Sequence, residues 1–317
     1  MTGRRHRGGG PYPDRLITYE EEPVRSMLGD KRAIAVFIGP ALIVYTLVMI
    51  VPLIWSAGYT FFDGSVIGGF NFTGLDNYKQ LLGDDAFWAS TWFTVKYGIA
   101  VTVGQVGFGL LLALLYTFYL KRASALVRTL VFFPVVLPTV AVAAMFTKLF
   151  AVAPQPGLIN SIASVLGMSG DRDWFGDSGS AFIVLVVMDV WRSMGFYAVL
   201  LYAGLVDIPD DIIEGARLDG ARGWRLVRHI ILPMLTPILL SSVIFSINGT
   251  LKVFDSIMAL TGGGPGDTTS PLTLYMYKTA FSFGDYGYGS TIAMQLTLLS
   301  LLVTLVIFRF SRKDQTR

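Results

Sequence analysis

The sequence has no cysteine and only two histidines, His6 and His229, in 317 residues. Without cysteine there is no disulfide, no thiolate nucleophile and no sulfur ligand for a metal. The two histidines are far apart and suggest no metal pair, so no metal site is expected. Charge is scarce as well: 15% of residues are Asp, Glu, Lys or Arg, against roughly 25% in soluble domains. With 53% hydrophobic residues and a mean hydropathy of +0.58, the deficit points to a polytopic membrane protein. The net charge of +3 is carried by basic residues at the N-terminus, around Lys121 to Arg128, from Arg217 to His229 and at the C-terminus. That distribution fits the ends of membrane spans and not a nucleic-acid footprint.

What is present is a series of long apolar runs. Six are long enough for the roughly 20 helical residues that cross a hydrocarbon core: about 33–62, 92–120, 129–150, 181–206, 235–260 and 290–310. The expected fold is therefore an all-α integral membrane protein with six transmembrane helices. Pro134 and Pro138 should kink the third span, and a short interfacial helix is expected at Leu158 to Met168. Residues 1–30 are polar and Gly-rich and read as a disordered cytoplasmic tail; a cleaved signal peptide would have a shorter apolar stretch that begins sooner. Even span number puts both termini on one side. Basic residues mark the termini, the 2–3 loop and the 4–5 loop, while the other loops lean acidic, so the positive-inside rule places those four segments in the cytoplasm.

The stretch from Asp207 to Pro237, which contains the 4–5 loop at 207–233, is the polar centre of the chain. Pro209 precedes Asp210, Asp211 and Glu214, which suit the positive N-terminal end of a short helix. A second helical segment is expected from about Arg222 to Pro233, where proline should break it. Small residues at Gly215, Ala216, Gly220, Ala221 and Gly223 would let another surface approach closely, so the stretch reads as a docking element.

Charges inside the spans are costly, roughly 2.5–3.5 kcal/mol each on insertion scales, and usually face a bundle interior or a watery cavity. Asp189 and Arg192 on the fourth span, and Lys252 and Asp255 on the fifth, are i,i+3 pairs. Asn248, Lys252 and Asp255 at i, i+4 and i+7 would form one polar stripe, with Phe245 and Phe254 nearby. Hydroxyl partners beside a flat apolar face suit a sugar. The alternative is that these charges are salt bridges holding helices together, and both readings stand at this point. The Gly262-Gly263-Gly264-Pro265-Gly266 run lacks the Gly-Lys-Ser/Thr ending of a nucleotide loop; it reads as a flexible turn, or as a mobile loop presented to an external partner. No nucleophile–base constellation points to an enzyme. An ion-coupled secondary transporter or channel would have no use for the docking stretch, and no internal repeat supports one.

Glu214, Gly215, Ala216, Gly220, Ile230, Leu232 and Pro233 stand at the spacing Glu-Ala-Ala, three residues, Gly, nine residues, Ile-x-Leu-Pro. This resembles the cytoplasmic signature of binding-protein-dependent ABC importer permeases, with Gly215 in place of the usual alanine. The stretches GPALIVYTLVMIVPLIWSAGYTFFD, FTGLDNYKQLL and VFDSIMALTGGGPGDTT are similar to segments of the maltose-type carbohydrate permeases, in the subfamily of the first of two non-identical subunits. The resemblance covers most of the chain beyond residue 30. It implies a type I importer permease architecture with coupling helices between spans 4 and 5, in a prokaryotic plasma (inner) membrane. The implied partners are a second permease, two ATP-binding subunits, an extracytoplasmic sugar-binding protein, a carbohydrate substrate and membrane lipid, with no nucleic acid. No cofactor is implied in this chain, since ATP and Mg would reside on the ATPase. By the same resemblance Glu214 would pair with a basic ATPase residue, and Ala216 and Gly220 would allow close packing. Leu218 and Trp224 would supply apolar contact beside Asp219, and Pro233 would set the angle at which force enters the fifth span. The sequence does not name the sugar.

Overall fold

The computed structural model describes residues 31–314 apart from Val66, Lys121, Arg122 and Ala153. The tail expected over residues 1–30 lies outside the described residues, as do the pair Lys121-Arg122 and the side chains of Arg312 and Lys313. The chain divides into two compact units, residues up to Trp55 and residues from Ser56 onward. The first holds α1 (Lys31–Phe37), α2 (Gly39–Tyr45), a π-helical turn (Thr46–Ile50) and the start of α3 (Val51–Tyr59). None of its described side chains is buried, and its residues are almost all apolar, as a lipid-facing helix requires.

The second unit begins with an element that an all-α expectation omits. Strands β1 (Phe62–Ser65) and β2 (Gly69–Phe72) pair antiparallel, with Phe62 opposite Phe72. Asn77, on the short α4 (Asp76–Leu82), pins the hairpin by donating to the carbonyls of Thr60 and Phe62 at 3.0 and 2.9 Å. The stretch Phe62–Phe72, with Gly64, Gly68 and Gly69 between its aromatic ends, carries little helical periodicity, and the hairpin is the result.

Among the described residues, five helical runs are long and apolar enough to cross a membrane, and one bent pair makes up to six. The run Gly39–Tyr59 is one of them. The others are α5 (Asp85–Phe118), α9 (Ser178–Val206), the run Trp224–Leu251 and the start of α15 (Tyr286–Asp314). The bent pair is α6 (Ser124–Val136) and α7 (Thr139–Leu149), at 99° to each other. Here the expected single kinked span 129–150 is replaced by two helices. Pro134 is tolerated in the last turn of α6, and the break falls at Leu137, which is extended because Pro138 follows it. A short helix, α8 (Leu158–Val165), lies in the loop before α9.

The fifth span also departs from 235–260. Helix α11 (Trp224–Leu226) runs through a π turn (Val227–Ile231) into α12 (Leu232–Leu251), so Pro233 does not end the second helical segment of the docking stretch. In the π turn the Leu232 N–H reaches back to Val227 O. The wider turn opens the ladder where proline lacks a donor and would otherwise clash with the carbonyl one turn back. The helix stops instead at Lys252, and α13 (Asp255–Leu260) starts after Phe254, whose backbone is at φ −141° and ψ −58°.

Helices α5 and α9 pack closely along their length. A Cβ on Gly109 of α5 would lie 2.7 Å from Tyr197 Cβ, and one on Gly195 of α9 would lie 2.2 Å from Val131 O of α6. Small residues let backbones approach where lipid offers no hydrophobic drive for association. Three apolar cores form among the described residues of this unit; the smallest gathers Leu81, Phe87, Leu272, Tyr288 and Ile292, and the other two run along α5 and α9. One gathers Tyr97, Val101, Leu185, Met188 and Ile257; the other gathers Tyr197, Leu201, Leu205, Leu226 and Leu235 at the end carrying the docking stretch.

Candidate functional site

The polar groups of the spans converge on one cavity of about 250 Å³. Gln105 of α5, Asp189 and Arg192 of α9, Ser246 of α12, and Lys252 and Asp255 at the helix break line it. Asp189 is the buried centre. Its Oδ2 accepts from Tyr97 Oη at 2.5 Å and from Ser256 Oγ at 2.9 Å, and Gln105 Nε2 donates to its backbone carbonyl at 3.3 Å. Ser246 Oγ lies 2.9 Å from both Gln105 Oε1 and Thr102 Oγ1. One carboxylate thereby ties α5, α9 and α13 together, and Gln105 extends the tie to α12. In hydrocarbon each of these groups would be costly alone.

The Asp189–Arg192 pair is present but loose: Arg192 Nε stands 3.7 Å from Asp189 Oδ1, and neither of these buried atoms has a hydrogen-bond partner. Both residues line the cavity, so its polar wall carries bonding capacity that the pair does not use. Lys252 and Asp255 form no ion pair at all; the pairs of the described residues are Lys79–Asp76, Arg192–Asp189 and Lys278–Asp267. The helix break between them removes the i,i+3 geometry that a continuous helix would impose. Both side chains are exposed along the cavity edge.

The same break dissolves the expected stripe. Asn248 does not line the cavity: its Nδ2 donates to Ile244 O at 2.9 Å, and its Oδ1 accepts from Thr304 of α15 at 3.3 Å. Phe245 is 60% exposed and lies away from the cavity lining. The aromatic faces there are Phe254 and Tyr197. Tyr97, Gln105, Ser246 and Ser256 carried no signal in the sequence, because isolated hydroxyls and amides in apolar helices look like packing residues.

The docking stretch has the opposite character. Helix α10 (Asp210–Leu218) has Asp210 and Asp211 in its first turn and Arg217 in its last, as the dipole favours. Its inner face rests on the bundle: Ile208, Leu226 and Ile231 are buried, with Ile213, Ala216, Ala221 and Ile230 packed against them. Ala216 and Ile230 therefore pack partly against this chain's own core. Glu214, Asp219, Gly220 and Pro233 are exposed, Gly215 and Leu232 half-buried. Leu218 is 89% and Trp224 67% exposed, two large apolar side chains on the loop between spans. Gly220 holds φ +84°, a left-handed corner that other residues adopt only under strain.

At the opposite end of α5, Asp84 accepts from Ala86 N at 2.9 Å as the helix cap. It also accepts from Tyr275 Oη at 2.5 Å and from Tyr288 Oη. Burial pushes its carboxyl up, but the two phenols and the amides of Phe87 and Ala86 outweigh that and hold it below the usual value. The nearby glycine-rich segment is a folded loop and not a flexible turn. Thr269 N donates to Gly263 O, Thr269 Oγ1 to Gly264 O, and Lys278 pairs with Asp267 at 2.5 Å.

Residues 105–313 match the family described as "binding-protein-dependent transport system inner membrane component". The trehalose/maltose transport system permease protein MalF of Thermococcus litoralis is 37% identical over 76% of this chain and 80% of its own length. The sulfoquinovosyl glycerol transport system permease protein SmoG of Agrobacterium fabrum is 32% identical over 90% of this chain and 92% of its own. A chain of a bacterial alginate ABC transporter, solved in complex with an alginate pentasaccharide-bound periplasmic protein, superposes with a TM-score of 0.80. That match has 19% identity and covers 91% of this chain and 96% of that one; it shows a common fold.

Proposed function

Since this chain belongs to the family of binding-protein-dependent transport system inner membrane components, we propose that it is one permease subunit of an ATP-driven carbohydrate importer. The observation that carries this reading is the docking stretch, which presents Leu218 and Trp224 to solvent while its other face is anchored in the core. Such a surface calls for a protein partner. The partner is an ATP-binding subunit, present in two copies with a second permease, on the cytoplasmic side assigned by the basic residues. Leu218 and Trp224 enter the ATPase surface, Glu214 and Asp219 meet basic groups on it, and the Gly220 corner keeps the loop narrow. Closure of the ATPase pair moves α10, and the continuous run from Trp224 through α12 carries that movement to the cavity.

The cavity is where sugar passes. Arg192, Lys252 and Asp255 offer donors and acceptors for hydroxyls, and Phe254 offers a flat face. Two acids and two bases balance in charge there, which suits a neutral mono-, di- or oligosaccharide better than a phosphorylated polyol. An extracytoplasmic binding protein delivers the sugar at the Asp84 end, in a prokaryotic inner membrane. Purified transporter in vesicles tests this by uptake of sugar from a loaded binding protein, with ATP on the loop side. Leu218→Ala with Trp224→Ala is expected to abolish uptake and release the ATPase subunit. Full uptake by that double variant would overturn the loop's role.

A further inference from the structure

The end of the bundle that carries α10 has a second feature which transport does not use. Arg128 stands one turn into α6 and lies half-buried against α9. Its guanidinium carbon is 4.2 Å from the centre of the Tyr202 ring, and its Nε donates to Ser124 O at 3.3 Å. Stacking and the carbonyl hold the planar group in one orientation. No carboxylate among the described residues pairs with it, so the Nη donors have no anionic partner. Two more polar atoms at this end are buried without a partner among the described residues, Tyr116 Oη and Ser124 Oγ. The Tyr116 ring packs edge-on against Tyr202 with centres 6.2 Å apart.

Beside Arg128 a groove of about 410 Å³ opens between α6 and α9. Its other walls are Ala125, Thr129, Phe132 and Val199, a mostly apolar lining with a single cation at its rim. Both helices belong to membrane-crossing elements, and Arg128 sits near the end of α6, where hydrocarbon gives way to headgroups. We propose that this groove binds an anionic phospholipid. The phosphate takes the guanidinium fork in the two-pronged geometry that arginine favours, and an acyl chain follows Phe132 and Val199. Basic pockets between membrane helices at an interface recognise lipid headgroups in this way. The apolar walls decide for a lipid over free phosphate, which would gain nothing from them.

Bound lipid would brace the end of α9 from which α10 continues. Lipid binding itself is independent of the transport reading, so it is the quantity to measure. The assembled transporter, purified with its partner subunits, is titrated with phosphatidylglycerol against phosphatidylcholine, and retained lipid is counted by native mass spectrometry. Wild type is expected to retain phosphatidylglycerol in preference. Arg128→Gln is expected to need about fivefold more for the same occupancy, with Arg128→Lys in between. Equal retention of the two lipids by wild type overturns the inference, as does an unchanged Arg128→Gln titration. The wild-type preference needs no variant, so the test survives if Arg128→Gln fails to assemble.

Discussion

The cavity at Asp189 and the loop at α10 are both polar interruptions of an apolar chain, and they are built in opposite ways. At the cavity, Tyr97, Ser256 and Gln105 reach from two other helices to one residue of α9. Asp189 Oδ2 is matched inside the chain, while Arg192, Lys252 and Asp255 keep bonding capacity to spare. At the loop, the inner face is matched by Ile208 and Leu226, while Leu218 and most of Trp224 are left unmatched. A region completed internally can sense a ligand without losing its shape. A region left incomplete requires another protein.

The sharpest way to break that contrast is Asp189→Ala. It would strand the buried Tyr97 and Ser256 hydroxyls, at a cost of roughly 1–3 kcal/mol each, and leave the partly exposed Arg192 without its carboxylate. A large fall in the thermal unfolding midpoint in detergent is expected, with a smaller one for Asp189→Asn. An unchanged midpoint would mean that the network holds nothing together. Leu218→Ala with Trp224→Ala should do the reverse. Burying a side chain of this size is worth about 1.5–3 kcal/mol, so ATPase association should weaken at least tenfold while the permease unfolds at an unchanged temperature. A lowered unfolding temperature would show the loop to be part of this chain's own core.

Lys252→Ala and Asp255→Ala sharpen the comparison within the cavity. Neither residue is ion-paired, so stability should change by less than about 0.5 kcal/mol, while the apparent affinity for transported sugar falls. Equal transport at matched abundance would restrict substrate contact to the Asp189 side. Gly220→Ala puts a Cβ at φ +84° and should cost about 1 kcal/mol, read as weaker ATPase association. The smallest effect is at Asp84. Its carboxyl is held below the ordinary value of 3.8, so it favours the folded state above that pH. The contribution is lost as pH falls from 3.8 through the lower folded value. A thermal midpoint that drops over this window in wild type, and less in Asp84→Asn, is the expected result.

Much of the fold was legible because membrane helices announce themselves locally. About twenty apolar residues in a row need no partner to be recognised, and the acids and bases of α10 follow the helix dipole within nine residues. The two helical segments of the 4–5 loop were legible for the same reason, since the residues that form them are contiguous. The failures share the opposite cause. Whether Pro138 would kink a helix or turn it by 99° depends on what α7 packs against. Pro233 was expected to stop a helix, and a π turn absorbed it.

The sequence by itself determined the apolar spans, the polarity of the loops and the presence of charges at bilayer depth. Each of these rests on neighbours in the chain, where composition and spacing are enough. Only the tertiary structure decided what the charges do. It ended α12 at Lys252, turned Asn248 toward Thr304, and brought Tyr97 across 92 residues to Asp189. Those pairings are set by the close packing of α5 on α9 at glycines such as Gly109. Contact between distant helices depends on shape at the interface, which no single stretch of sequence contains.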